Sequence, residues 1–476
     1  MLKGLGLTIV LFSSALAFGK NPTPVMFSDL QAELPETRRA FRPPTYEGQE
    51  DALGYSPQAF AVPPGMEARV SFWIDIYTKY STDQGLLHDS RYPEIVYESV
   101  DFRPIMQNEA LNSYQKQAAR RRLVKDRKKD IEQRLKRLQK YSSPVGLQGE
   151  DLRYWYLFDV VDEPNKFRQA SHSSRLRFQL GQSDRFVKGI FYSGRYLEKM
   201  EAIFREEGLP IELTRLPFVE SSFNVKAMSR LGASGIWQFL RGTGREYMRI
   251  NASVDERNDP LTATASAAKK MKKNYNMLGN WPLAVTGYNH GPYGMRRMVK
   301  RYGTSDISEL IEKRRGRFGF ASANFYASFL AAVEVEKRAK AYFGEVYWDL
   351  PRDLEKLRLT KNISVESLVN WFDEDEALTR ESNYHIRRSV WKGQVSLGRG
   401  DFVWVPKESY ARAETEMNNL TSVALFNGKI YKVSPGDTLS GIANQFGVRL
   451  SKLIQANNSV NPRRLQVGQK LIIPTP

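Results

Sequence analysis

Residues 209–239 read LPIELTRLPFVESSFNVKAMSRLGASGIWQF. One glutamate, Glu220, closes the apolar run Leu216-Pro217-Phe218-Val219. Ser221-Ser222-Phe223 follows, then a glycine-rich turn ending in Gly235-Ile236-Trp237-Gln238. A carboxyl at the edge of an apolar run is partly desolvated. That disfavours its charged form and raises its pKa toward neutrality, as a general acid requires. The chain has no cysteine and four histidines, with no cluster at metal-ligand spacing. Carboxyl chemistry is therefore expected, with no metal and no cofactor.

The surroundings of this stretch read as helices. Upstream, residues 186–207 (FVKGIFYSGRYLEKMEAIFREE) place Tyr196, Met200, Ile203 and Phe204 on one face, and Gly208-Leu209-Pro210 ends the pattern. Downstream, Asp259-Pro260 reads as a cap followed by a first-turn proline. Residues 271–278, 281–288 and 325–339 are further helical stretches. No alternating run marks a strand, so residues 186–342 are expected to form an all-α domain.

The N-terminus and the charge bear on location and partners. Met1-Leu2-Lys3, an apolar run over 4–16 and the small-x-small site Ala15-Leu16-Ala17 predict a signal peptide over 1–17 and export to the periplasm or cell wall. Without cysteine the mature protein is not expected to be a lipoprotein, nor to carry a disulfide. Residues 18–185 are expected to be largely helical after a Pro-, Glu- and Gly-rich lead-in that is weakly ordered to about residue 64. Within them, 111–140 predicts a strongly basic helix, with Val124, Ile131, Leu135 and Leu138 falling on one stripe. Its polar remainder reads either as a solvated face or as a surface for an anionic polymer. The net charge of +18 favours a polyanionic partner without choosing among nucleic acid, anionic lipid and acidic wall polymer.

Toward the C-terminus the composition shifts near residue 347. Short strands are expected at 363–365 and 402–406, with a helix over 366–372 between them and a polar linker over 407–427. Residues 430–474 parse as strand, helix, helix, strand, a small α+β (βααβ) unit. The chain is thus expected to be multidomain.

Two resemblances rest on these residues. The run YKVSPGDTLSGIANQFGV with LIQANN and LQVGQKLIIP resembles a LysM module, a fold that binds N-acetylglucosamine-containing glycans. The resemblance implies a groove lined by Gly436, Asp437, Thr438 and Leu439 on one side and by residues 458–462, including Asn458 and Pro462, on the other. Asp437 and Thr438 also fit a plain helix cap. Residues 347–406 look like a degenerate LysM lacking the Gly-Asp-Thr-Leu turn, with a structural role expected.

The central block resembles the lytic transglycosylase (SLT) domain of the lysozyme superfamily, and the order of segments resembles that of membrane-bound lytic murein transglycosylases. Glu220-Ser221, the turn Gly232-Ala233-Ser234-Gly235-Ile236-Trp237-Gln238, and Gly287-Tyr288-Asn289-His290-Gly291 carry the match, and Arg257-Asn258-Asp259-Pro260 between them also fits. The resemblance implies cleavage of the β-1,4 bond between N-acetylmuramic acid (MurNAc) and N-acetylglucosamine (GlcNAc) in peptidoglycan. Glu220 would act first as acid and then as base, with 1,6-anhydro-MurNAc ends as product. Ser221, Ser229, Gln238, Tyr288 and Asn289 would bind or position substrate.

An ordinary glycosidase pairs two carboxylates. Of the nearby candidates, Glu212 lies outside any motif, Asp259 reads as a helix cap and Glu246 has no particular claim, so no partner stands out, which fits a one-carboxyl enzyme. The alternatives are a lysozyme-type hydrolase and a non-catalytic glycan-binding scaffold. Peptidoglycan strands are the expected partner, with no nucleic acid; peripheral association with membrane or wall is left open, and a monomer is expected.

Overall fold

A computed structural model of the chain describes residues 26–30, 39–40, 59–420, 429–457, 460–461 and 465–473. The expected signal peptide, most of the lead-in, and Asn458 and Pro462 of the expected glycan groove lie outside the described residues. The chain forms two compact units. The first comprises residues 1–32, 64–187 and 338–345, and the second 33–63, 188–337 and 346–476.

The first unit is not only helical. Gln84–Asp89 is the central strand of an antiparallel sheet, flanked by Val96–Asp101 and Leu176–Leu180. All six residues of that strand are buried, so it lacks the polar alternation that marks a half-exposed strand. Gly85 suits the crowding there, because a Cβ would stand 2.4 Å from the Phe178 ring and 2.6 Å from the Gln179 carbonyl oxygen.

The basic helix runs Ser113–Leu138. Asn112 caps it reciprocally with Gln115. Its stripe packs as the spacing predicts: Ile131, Leu135 and Leu138 join Leu87, Tyr97, Val100, Tyr154 and Phe158 in one core, with Val124 partly buried at its edge.

Residues 188–337 of the second unit are helical. Among them the only β features are isolated bridges such as Met228 with Ser234 and Ser234 with Phe239. The expected helix over 186–207 is two helices, Ser183–Ser193 and Leu197–Glu206. They break at Gly194, where a Cβ would stand 2.4 Å from the Asp349 carbonyl oxygen.

Pro260–Leu278 starts as expected, with the Asp259 carboxylate accepting from the Thr262 amide and Pro260 in the first turn. Trp281–His290 and Phe320–Lys337 pack alongside, the latter buried over most of its length. At the centre, the buried Arg215 guanidinium pairs with Glu201 (2.5 Å) from Leu197–Glu206 and Glu336 (3.2 Å) from Phe320–Lys337. It also donates to Thr214 Oγ1 at 2.8 Å.

After residue 350 the strands differ from those expected. Leu354–Arg358, not 363–365, pairs antiparallel with Phe402–Pro406. Ile363 makes only an isolated bridge with Leu397. Between the strands lie Val365–Asn370, Glu376–Ser382 and Arg388–Trp391. The expected linker begins as a helix instead: Tyr410–Asn419 sends Ala413 and Met417 into the core of this module, and Glu416 accepts from the Trp371 indole at 2.8 Å.

The C-terminal module is βααβ. Lys429–Lys432 pairs antiparallel with Lys470–Ile473, with Leu439–Gln445 and Leu450–Ala456 between them. Gly447, with φ +64°, closes the first helix.

Arg215→Ala would leave two buried carboxylates around an empty centre. Removing one partner from such a set costs about 3–5 kcal/mol. Urea unfolding of the variant is expected to show a loss of that order, against a change below 1 kcal/mol for Lys313→Ala, which breaks the exposed pair with Glu309.

Candidate active site

Glu220 lies in the last turn of the short helix Leu216–Ser221, whose Leu216, Pro217 and Phe218 are buried. Ser222 (φ 50°) and Phe223 (φ 55°) follow in left-handed conformations, so the chain turns sharply just after the glutamate. Phe223 then packs edge-on against Phe218 at 4.7 Å. The Ser221 hydroxyl donates to the Ile236 carbonyl at 3.0 Å. It ties the Glu220 helix to the glycine-rich turn and does not touch the Glu220 carboxyl.

The glycine-rich turn is fastened from several sides. Gly235 has φ +76°, and a Cβ there would stand 2.0 Å from the Arg257 carbonyl oxygen. The Arg257 guanidinium donates to the carbonyls of Gly232 (2.7 Å) and Phe239 (2.9 Å), while Asp255 holds its other face. The Ser234 hydroxyl donates to Asn258 Oδ1 at 2.6 Å.

Gln238 is itself left-handed, with φ 47°. Its amide donates to the carbonyls of Gly235 (2.8 Å) and Ala227 (3.2 Å). Ser229 Oγ accepts from the Ala233 amide at 3.0 Å. Trp237 is fully buried: its ring stacks on Phe204 and its indole donates to Thr264 Oγ1 at 2.8 Å.

The module after residue 350 completes this fastening. Arg387 shares Asp255 with Arg257 at 3.1 Å, and the Asp255 amide donates to the His385 carbonyl at 2.7 Å. Asp401 accepts from the Ser253 hydroxyl at 2.6 Å and from Asn251 at 3.1 Å. The Trp404 indole donates to Asp259, the cap of Pro260–Leu278, at 2.5 Å.

Tyr288 is buried and its hydroxyl donates to the Trp237 carbonyl at 3.0 Å. Asn289 is exposed and its Oδ1 accepts from Ser322 Oγ at 2.9 Å.

Burial pushes the Glu220 carboxyl up to about 7, partly opposed by the charge of Lys270. Among the described residues none donates a hydrogen bond to it, and no carboxylate acts on its charge. The three other carboxylates weighed from sequence have different surroundings. Glu212 is buried in the turn before the helix, Asp259 is occupied as a cap, and Glu246 is exposed.

Burial raises Tyr288 well above its usual range, with Glu220 adding to the effect. It lowers Lys270 to about 8. The Lys270 ammonium donates to the Tyr288 carbonyl at 3.1 Å and stands 3.6 Å from the centre of the Tyr288 ring.

Sequence reading singled out Glu220, Ser221, Ser229, Gln238, Tyr288 and Asn289, and Arg257 within a motif, but missed Lys270 and the pairing of Arg257 with Asp255. A signal for Lys270 was present. In Pro260–Leu278 the buried positions Ala263, Ala267, Met271 and Asn274 define an inward stripe, and Lys270, seven residues after Ala263, falls inside it.

In the C-terminal module Gly436 and Thr438 are exposed. Thr438 caps the first helix by accepting from the Gly441 amide. Asp437 locks the preceding turn through the Tyr431 hydroxyl (2.7 Å) and the Ser434 amide (2.7 Å). Leu439, expected in the groove, is buried in the module's core instead.

Residues 200–311 match the family profile of the Transglycosylase SLT domain, and residues 431–474 that of the LysM domain. The chain is 28% identical over 286 residues to membrane-bound lytic murein transglycosylase D of Escherichia coli K12, covering 56% of this chain and 61% of that protein. It is 32% identical over 106 residues to a putative tributyltin chloride resistance protein of Alteromonas sp. strain M-1, covering 22% and 51%. The chain thus spans about three fifths and one half of the lengths of these relatives. A solved structure of an inactive mutant of lytic transglycosylase Slt from Pseudomonas aeruginosa overlaps at 16% identity and a TM-score of 0.27, over 46% of this chain and 39% of that one. The protein therefore carries a helical, lysozyme-like SLT domain and a small LysM domain within a multidomain chain.

Two alanine substitutions separate collision from backbone strain in the glycine-rich turn. Gly232→Ala meets nothing within 4 Å and costs only the left-handed conformation, about 1–2 kcal/mol. Gly235→Ala adds the clash with the Arg257 carbonyl. It is expected to lower the thermal midpoint clearly further than Gly232→Ala in side-by-side calorimetry.

Proposed function

We propose that the protein is a peptidoglycan lytic transglycosylase. It cleaves the β-1,4 bond between MurNAc and GlcNAc and leaves 1,6-anhydro-MurNAc ends. The observation that carries this reading is a half-buried carboxyl pushed up to about 7, with no carboxylate acting on it among the described residues, on a chain that carries SLT and LysM domains.

The chemistry follows from that carboxyl. Protonated Glu220 gives its proton to the GlcNAc oxygen as the bond from the MurNAc anomeric carbon to that oxygen breaks, and the developing positive centre is supported by the sugar's own acetamido group. Glu220, now a carboxylate, takes the proton of the MurNAc 6-hydroxyl. That oxygen closes on the anomeric carbon, and Glu220 is protonated again. No water is consumed, so no second carboxylate is required to activate one.

The neighbours divide between fastening and contact. Ser221 and Tyr288 spend their hydroxyl protons on backbone carbonyls and serve as positioning residues. The Ser229 hydroxyl accepts from Ala233 and keeps its own proton for an acetamido carbonyl. Gln238 spends both amide protons on backbone and presents its oxygen as an acceptor. The LysM domain, through the turn with Gly436 and Thr438, holds GlcNAc-containing strands near the enzyme. The basic surface suits the lactyl and peptide carboxylates of the wall. Export to the periplasm or wall belongs to the same reading; among the described residues no helix is long and apolar enough to cross a membrane.

Digestion of purified sacculi followed by mass spectrometry tests the proposal. Wild-type protein is expected to release anhydro-muropeptides, while Glu220→Gln releases none yet still sediments with sacculi. Reducing-end products would instead indicate a hydrolase, and absence of release by the wild type a binding scaffold. The pH dependence follows from the raised carboxyl. The acid form is the active one, so kcat/KM is expected to fall as pH rises through about 7.

A further inference from the structure

Lys270 is a half-buried titratable group that the mechanism above leaves unused. It sits on the inward stripe of Pro260–Leu278, where an apolar side chain would pack at less cost. Its ammonium is held by one carbonyl, that of Tyr288, and by the Tyr288 ring face at 3.6 Å, with the Phe239 ring at 5.5 Å. Among the described residues no carboxylate lies within 4.0 Å of it, so it is not half of a salt bridge there. The Tyr288 hydroxyl and that of Ser221, the residue next to Glu220, donate to the adjacent carbonyls of Trp237 and Ile236, so the ring that holds the ammonium and the end of the Glu220 helix meet on one stretch of backbone.

We propose that Lys270 is a positioning residue for Glu220: an ammonium fixed on the Tyr288 ring that favours the carboxylate left after proton donation and so prepares it for the base step. The inference rests on the transglycosylase reading, in which Glu220 must be comfortable in both protonation states within one turnover. A carboxyl buried without a cation gives up its proton reluctantly. One that feels an ammonium outside salt-bridge distance retains a near-neutral pKa and gains a stabilised charged form.

The charges acting on Lys270 are Glu220, from Leu216–Ser221, and Glu246, just past Arg241–Arg245. Tyr288 faces it from Trp281–His290, with Tyr247 acting in turn on Tyr288. The other elements packed against Pro260–Leu278, namely Leu197–Glu206, the 3-10 helix Glu256–Asn258 and Pro292–Tyr302, add no charge to those acting on it.

The test is a carbon-13 NMR titration of the Glu220 side-chain carboxyl in the full chain without substrate, set beside the pH profile of sacculus cleavage. Lys270→Met is expected to raise the Glu220 midpoint by about one pH unit and to move the alkaline limb of kcat/KM upward with it. Lys270→Arg, which keeps the charge, is expected to restore both toward wild type. Lys269→Met, exposed on the same helix, is expected to change neither. A Glu220 midpoint unmoved in folded Lys270→Met overturns the inference, whatever the cleavage products. Because the titration needs no turnover, failure of the transglycosylase reading would appear separately, in the product analysis.

Discussion

The second unit is organised around the buried guanidinium of Arg215. It ends one turn of 3-10 helix and begins the helix that carries Glu220, and its two carboxylate partners come from helices 14 residues before it and 121 residues after it. Six residues of helix do not hold together on their own. Leu216–Ser221 exists because Arg215 anchors its first turn and the Ser221 hydroxyl pins its last to the Ile236 carbonyl. The orientation of Glu220 is thereby decided by ion pairs and a hydrogen bond remote from its own carboxyl. That leaves the carboxyl without a donor among the described residues and its proton available.

The same logic extends to the glycine-rich turn. Gly235 allows the turn to press against the Arg257 backbone, and the Arg257 side chain reaches round to hold the turn's two ends. Asp255 fixes Arg257, and Arg387 with the His385 carbonyl fixes Asp255. The module spanning residues 354–419 is thus continuous with the helical body through buried polar contacts, Trp404 on the Asp259 cap among them. Such contacts are costly to break singly, because each leaves a buried partner unsatisfied. The module buttresses the turn, and its strands and terminal helix depart from the strand and linker positions expected for it.

What the sequence made legible follows from how much of each signal is local. The capped start at Asp259-Pro260, the stripe of the basic helix and the βααβ parse of the C-terminal module are set by neighbours within a few residues, and all are as read. The sheet of the first unit was not legible, because Gln84–Asp89 is buried on both faces and shows no alternation. The break at Gly194 depends on Asp349, 155 residues away. In the site, Glu220 announced itself by its apolar approach. For Ser221, Gln238 and Tyr288 the sequence left binding and positioning undivided, and the structure shows their hydroxyl and amide protons on backbone carbonyls. Only the fold decides where a hydroxyl points.

Lys270 shows the limit most clearly. In Ala-Ala-Lys-Lys-Met-Lys-Lys four lysines look alike, and three of them are solvated. The helical register alone sets one apart, by placing it among alanines and Met271 on the inward stripe. A second carboxylate in that position would push Glu220 to hold its proton more tightly still, since two buried anions disfavour each other. An ammonium does the reverse, and from a distance at which it does not capture the carboxylate in a salt bridge. A glutamate that must give up a proton and take one back needs an environment that commits to neither form. Burial on one side and the charge of Lys270 on the other supply the two opposing influences that keep it near pH 7.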